Sequence, residues 1–164
     1  MAITSAICNS FKEEILQGGQ ILMASGSTPA GNAIKLALYS SNSAVLSKST
    51  TVYAAPADAS ADPTSTYEVT ETSSGYTVGG KTLTAIDPTL SGDSAVCDFS
   101  NESWTSATFT ARGLLLYNST AITGFTTNRS ICAINFGGDK TVTSGTFTIE
   151  FPAAGVGTAI IEIA

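Results

Sequence analysis

Hydrophobic positions recur along this chain at two spacings, and the change from one to the other divides it. Ile3, Ile7, Phe11 and Ile15 return every four residues, the interval that lines one face of a helix. A helix is therefore expected over residues 4–17. Thr4 or Ser5 would cap its start, and Gly18 and Gly19 would end it, because glycine tolerates the left-handed conformation of many helix C-termini. The stripe serves either a helix lying on its own domain or a docking arm for a neighbouring subunit. From Ala33 onward the spacing becomes two. In Ala33–Ser40, Ile34, Leu36 and Leu38 alternate with Lys35, Ala37 and Tyr39, as in a strand with two distinct faces. Ser94–Phe99 reads the same way. Thr146–Phe151 sets Thr146, Thr148 and Glu150 against Phe147, Ile149 and Phe151, and Pro152 stops it.

Between these lie further strand segments. Trp104–Tyr117 is expected as two pieces bent near Arg112 and Gly113. The second piece, Gly113–Tyr117, is apolar on both sides, as in a central strand covered on both faces. Ser130–Phe136 is another strand, followed by a hairpin-type loop at Gly137–Lys140. Ser74–Thr84 reads as a hairpin around Gly79 and Gly80. Asp87-Pro88 and Ser91-Gly92 mark turns, Tyr67–Thr70 is a short strand, and Thr158–Ile163 is the last one. Residues 20–32 form a loop, and residues 41–66, interrupted by Pro56 and Pro63, form a long irregular connection. Eight to ten short strands without βαβ alternation predict a mainly β protein: an antiparallel β-sandwich, jelly-roll-like, preceded by a short N-terminal α-helix. The expected organisation is an arm at 1–19 followed by one domain at 20–164.

Composition narrows the chemistry. The chain has 164 residues, enough to bury a core, yet only 12% are charged; Ser and Thr take up the polar surface. Net charge is −6 from 7 basic and 13 acidic residues, and the basic residues form no run, which argues against nucleic-acid binding and against a polybasic membrane patch. No apolar run is long enough to span a bilayer, and the N-terminal region lacks the pattern of a secretory signal. Three cysteines, Cys8, Cys97 and Cys132, make neither a disulfide framework nor a CxxC site. Cys97 and Cys132 read as small buried hydrophobes, with a single bridge between them left open.

The usual catalytic constellations are missing. There is no histidine, which removes the commonest general base and the Ser–His–Asp and Cys–His arrangements. Asp98 with Glu102 is a carboxylate pair that nothing singles out for glycosidase work. Asp58 and Asp62 lack the remaining positions of a calcium loop. Gly79-Gly80 lacks the surrounding pattern of a phosphate loop. The sequons at Asn101, Asn118 and Asn128 are what so Ser/Thr-rich a chain produces by chance. Arg112, alone in an apolar strand, either grips a carboxylate ligand or pairs with Asp98, Glu102 or Glu150. No enzyme, catalytic residue, metal or cofactor is expected. Candidate interface residues are Ile3, Ile7, Phe11, Ile15 and Tyr53. A carbohydrate-binding or adhesion module would use Tyr39, Tyr53 and Tyr67.

Several phrases in order, MAITSAICNSFKEEIL, IKLALYSS, SGYTVGGKTLT, WTSATFTARGLLLYN and INFGGDKTVTSGTFTIEFP with the closing AIIEIA, resemble small structural proteins of tailed bacteriophages, especially phages of aquatic bacteria such as cyanobacteria. The resemblance covers nearly the whole chain except residues 41–66. It implies a virion protein assembled in the host cytoplasm. The best role it suggests is capsid decoration (cement): a β-sandwich-like homo-oligomer, often a trimer, seated on the major capsid protein. A tail, neck or tail-fibre component is the alternative within the same particle.

Overall fold

The computed structural model describes residues 3–40, 46–54, 67–70 and 75–164. The protein is mainly β, with two antiparallel sheets and one short helix. In chain order the elements are β1 (Ala6–Ile7), α1 (Asn9–Leu16), β2 (Ile34–Tyr39), β3 (Lys81–Thr82), β4 (Ala85–Ser91), β5 (Ser94–Phe99), β6 (Glu102–Asn118), β7 (Arg129–Ile149) and β8 (Ile161–Ile163). One sheet has the order β1-β7-β6-β2-β3 and the other β4-β5-β8. Its sandwich-like layering and short N-terminal helix agree with the alternating pattern of the sequence.

The backbone of the molecule is the β6–β7 ribbon. These strands of 17 and 21 residues pair from Asn118↔Arg129 to Glu102↔Ile149, with four register shifts. Here the structure corrects the sequence reading: Gly137–Lys140 is not a hairpin loop. Ala111 pairs with Lys140 and Gly113 with Asn135, so the extra residues bulge out of one continuous strand, with Gly137 at φ 73°. A bulge of this kind kinks a strand without ending it. Asp87-Pro88, expected as a turn, is likewise a bulge, in the edge strand β4 between Ile86 and Thr89. Gly92 and Asp93 form the turn that joins β4 to β5, closed by the Ser91↔Ser94 pair.

The helix is shorter than expected. Ile3–Cys8 is extended, β1 pairs Ala6 with Ala133 and Ile7 with Cys132, and α1 starts at Asn9 with Cys8 in the cap position and no side-chain cap. Ile3 and Ile7 fit a four-residue period, but in the extended segment they go to different cores, Ile3 packing with Leu46 and Tyr53 and Ile7 against the main core. The glycine stop is as expected. Gly18 N–H donates to Ile15 O and Gly19 N–H to Glu14 O at 2.8 Å, the paired closing bonds of a glycine-terminated helix.

Both faces of the proximal ribbon are covered, as its doubly apolar run predicts. On one face Leu114, Leu116, Cys132, Trp104 and Phe109 join Phe11, Phe99, Cys97 and Ile161 in the main core. On the other, Ala37, Tyr39, Leu115, Tyr117 and Ala133 pack beneath Ile3, Leu46 and Tyr53. Part of the long connection is therefore core. Its remainder, residues 41–45 and 55–66 including Pro56, Asp58, Asp62 and Pro63, lies outside the described residues. Gly79 and Gly80 do take positive φ, yet the β3 strand that follows them pairs with the distant β2 and not as a local hairpin. Tyr67–Thr70 is not a strand but makes one bridge, Tyr39↔Glu68. All three cysteines are free and buried, without a Cys97–Cys132 bridge.

Candidate interaction surface

The polar groups that most resemble a site are turned inward. Glu68 is buried (3% exposed). Its carboxylate accepts hydrogen bonds from Tyr53 Oη at 2.8 Å, Tyr76 Oη at 2.8 Å and the Gly79 N–H at 2.6 Å. Tyr76 Oη in turn accepts the Leu38 N–H at 2.9 Å, and Tyr117 Oη donates to Gly79 O at 2.8 Å. Tyr53 and Tyr117 stack with ring centroids 4.3 Å apart. Burial pushes the Glu68 carboxyl upward, and the three donors and the Lys35 charge pull it part of the way back. Burial first, then the Glu68 charge, pushes Tyr53, Tyr76 and Tyr117 up. Their hydroxyls therefore stay protonated, and act as donors, at neutral pH. This network fastens Glu68 and Gly79 to the sheet.

Arg129 forms a second internal knot. It is 1% exposed and donates to Thr126 O and Gly19 O at 2.7 Å each. Its Nε lies 3.3 Å from Glu14 Oε2, and its guanidinium sits 5.2 Å from the centre of the Phe125 ring. One cation thus holds the end of α1, the loop after it and the β6–β7 connection. Neither knot was found from the sequence, since a buried Glu or Arg leaves no mark in periodicity. Arg112, which drew attention there, pairs with Asp139 at 3.3 Å, not with Asp98, Glu102 or Glu150. Asp139 is largely exposed, so the pair contributes about 0–1 kcal/mol.

The sequence-predicted interface residues are also internal. Ile3, Phe11 and Tyr53 are 2%, 1% and 5% exposed, and Ile7 and Ile15 pack half-buried against the main core. Much of their apolar surface is used by the chain's own fold, while Ile7, Phe11 and Ile15 also line the groove between α1 and β8. Tyr39 and Tyr53 are buried as well and Tyr67 is half-buried, so the three do not make an exposed sugar platform.

Among the described residues, two places combine uncovered apolar side chains with an apolar groove. The first is one end of the smaller sheet. Leu90 pairs with Ala95 and Ala95 with Ile163, so the three form a row across all three strands. Leu90 is 81% exposed and Ile163 54%, and Ala95 is exposed too. Beyond Ile163, a groove of about 350 Å³ runs between β8 and α1. Ile7, Phe11, Ile15, Ile161 and Ile163 line it, together with Leu16 at 89% exposure. The second place is a larger groove of about 510 Å³ beside the distal half of β7, lined by Leu114, Ile134, Phe136, Phe147, Ile149, Phe151 and Ile160, with Lys140 and Glu150.

No family model, curated protein or solved structure matches this chain. Among the described residues no cluster of His, Cys, Asp and Glu is placed to hold a metal ion, and no helix is long and apolar enough to cross a membrane.

Proposed function

We propose that this chain is a non-enzymatic structural protein of a phage particle, a decoration protein seated on the capsid shell through the exposed end of its smaller sheet. The sequence phrases carry the phage reading. The observation that supports attachment is the apolar row Leu90–Ala95–Ile163 beside Leu16 and the adjoining groove. Fully burying one such leucine is worth about 1.5–3 kcal/mol. Leu16 and Leu90 are already fixed on a helix and a strand, so their burial costs little further ordering. A cement works by binding the assembled lattice better than its free subunits, which calls for rigid shape and apolar contact, not for titrating groups. The interior use of Glu68 and Arg129 fits that demand.

The test is mass-spectrometric quantification of this chain against the major capsid protein in purified virions. A ratio near one supports decoration, a few per cent moves the protein to the tail or neck, and absence from the particle overturns the virion reading. Leu90→Glu and Leu16→Glu, both at exposed positions, should leave the fold intact and empty the shell of this chain. Undiminished occupancy in both variants would reject this surface.

A further inference from the structure

One buried acid belongs to neither internal knot. Asp98 is 1% exposed and sits on β5, the middle strand of the smaller sheet, where it pairs with Ile86 of β4 and lies one residue past the Cys97↔Ile161 pair at which β8 begins. Cys97 and Phe99 belong to the main core. Asp98 alternates with them and so turns to the other face of the sheet, beside the buried Val96. Its Oδ1 accepts the N–H of Phe99, the next residue of its own strand, at 2.8 Å. Its Oδ2 is buried and has no hydrogen-bond partner among the described residues. Glu68, by contrast, has three donors.

The surroundings supply no charge in place of the missing bonds. β4, β5 and β8 contain no lysine or arginine. Neither do residues 152–160 nor residues 20–32, whose Leu22 O accepts the Cys97 thiol at 3.6 Å. Asp87 on β4 is held by Ser27 Oγ and the Ala24 N–H, and Glu162 on β8 by the Gly157 N–H. Asp93, in the β4–β5 turn, is exposed, and the Cys97 thiol is pushed up by burial and then by Asp98. Lys81 is engaged by Glu102. A buried carboxylate with one donor and no cation is costlier than the neutral acid. Burial accordingly pushes the Asp98 carboxyl up, and the Phe99 N–H brings it only part of the way back.

We propose that Asp98 is a proton-operated latch on the smaller sheet, holding a proton while β5 is packed and releasing it when β5 and β8 open to water. The raised carboxyl gives the sign. The packed sheet binds a proton that the opened one gives up, so the sheet is tightest in mild acid. It loosens as pH rises from the ordinary aspartate value through the raised one. The row Leu90–Ala95–Ile163 crosses the same three strands, so acid firms that surface; this consequence alone rests on the attachment reading.

The latch is tested without particles, by amide hydrogen exchange of the full chain. Protection is read over residues 94–99 and 161–163 between pH 7 and pH 5 and corrected for the intrinsic exchange rate. One proton changes an opening equilibrium by up to about tenfold per pH unit. Protection in the wild type should therefore rise roughly 3- to 10-fold on acidification over this range. The rise should remain in Glu68→Gln, which removes the other raised carboxyl, and be lost from Asp98→Asn, which keeps the side-chain shape but cannot ionise. A second readout needs no substitution: the carbon-13 shift of the Asp98 carboxyl, followed by NMR against pH, should show a midpoint above the ordinary aspartate value. A flat wild-type profile, a slope undiminished in Asp98→Asn, a slope that vanishes in Glu68→Gln, or an Asp98 midpoint at or below the ordinary value overturns the proposal.

Discussion

Replacing Glu68 by leucine removes the acceptor shared by three buried donors. The Tyr53 hydroxyl and the Gly79 N–H lose the partner they have in the fold, and the Tyr76 hydroxyl, which still accepts from Leu38, loses its place to donate. Each buried donor left without an acceptor costs about 1–3 kcal/mol, so the gross loss is roughly 3–9 kcal/mol. Against this stands the desolvation of the carboxylate, which leucine does not incur and which is large enough to set the direction of the Glu68 shift. The expected net loss is at the lower end, about 3 kcal/mol. For a chain of this length that is a fall in Tm of about 6–12 °C.

Trp104, the single tryptophan, lies 6.1 Å from Tyr76 and reports the transition by fluorescence in a urea titration. Glu68→Gln supplies the pH arm. The folded carboxyl lies above its unfolded value, so the native state binds more protons than the unfolded chain, and stability falls as pH rises from the unfolded value through the folded one. The wild type should therefore gain stability on mild acidification through this group, and Glu68→Gln should lack that slope. If Glu68→Leu unfolds within about 0.5 kcal/mol of wild type, the buried network does not hold this region together.

Three further outcomes follow from other parts of the fold. Arg129→Met leaves Glu14 and two carbonyl groups without their cation and should cost about 3–5 kcal/mol, measured by urea denaturation. Gly80→Ala sets a Cβ 1.6 Å from Leu36 O at φ +66°; it should prevent β3 from pairing with β2 and leave little soluble protein, whereas Gly92→Ala, with open space around it, should express normally despite some backbone strain. Burial pushes the Cys8 and Cys97 thiols up to about 12, with Glu14 and Asp98 adding to the effect, and pushes Cys132 up as well. All three should resist iodoacetamide at pH 8 in the native protein and react once it is unfolded, as counted by intact mass; rapid labelling of the folded chain would contradict their burial.

The elements visible in the sequence were those whose burial follows a single period. Ile34–Tyr39 is buried at nearly every position, and Gly113–Tyr117 is apolar on both sides because both sides are covered. β7 was harder to see. Gly137-Gly138 has the composition of a turn, but β6 continues opposite it through Arg112 and Gly113, and cross-strand pairing outweighs a local glycine signal. The first seven residues misled for a related reason: Ile3 and Ile7 carry a helical spacing but are held extended by β7 and by the Thr4 N–H bond to Leu46 O. The surface residues proposed for interaction were invisible too. Leu16, Leu90 and Ile163 look like core in any periodicity analysis, and only the end of the smaller sheet and the run of β8 past the core show that they are uncovered. The Tyr53–Glu68–Tyr76 cluster joins residues 15 and 8 positions apart in three irregular segments, and no periodic pattern connects them.

The ribbon also bears on how this chain reaches its fold. Its first pair, Asn118↔Arg129, joins residues 11 positions apart, and its last, Glu102↔Ile149, joins residues 47 apart. Every added pair lies next to one already made, so the ribbon closes like a zipper from the 119–128 connection and never meets a large loop-closure penalty at once. In the smaller sheet β4 and β5 can zip from their own turn, but β8 has no such route: Cys97 must find Ile161 across 64 positions. Early assembly then belongs to the ribbon, and docking of β4, β5 and β8 to the later stages. Weakening Leu115 or Ile131 should slow folding, and weakening Ile161 should chiefly hasten unfolding. During the interval between the two stages, the Phe147 side of the ribbon stands uncovered, and the chain is then most open to capture by chaperones or by its own copies.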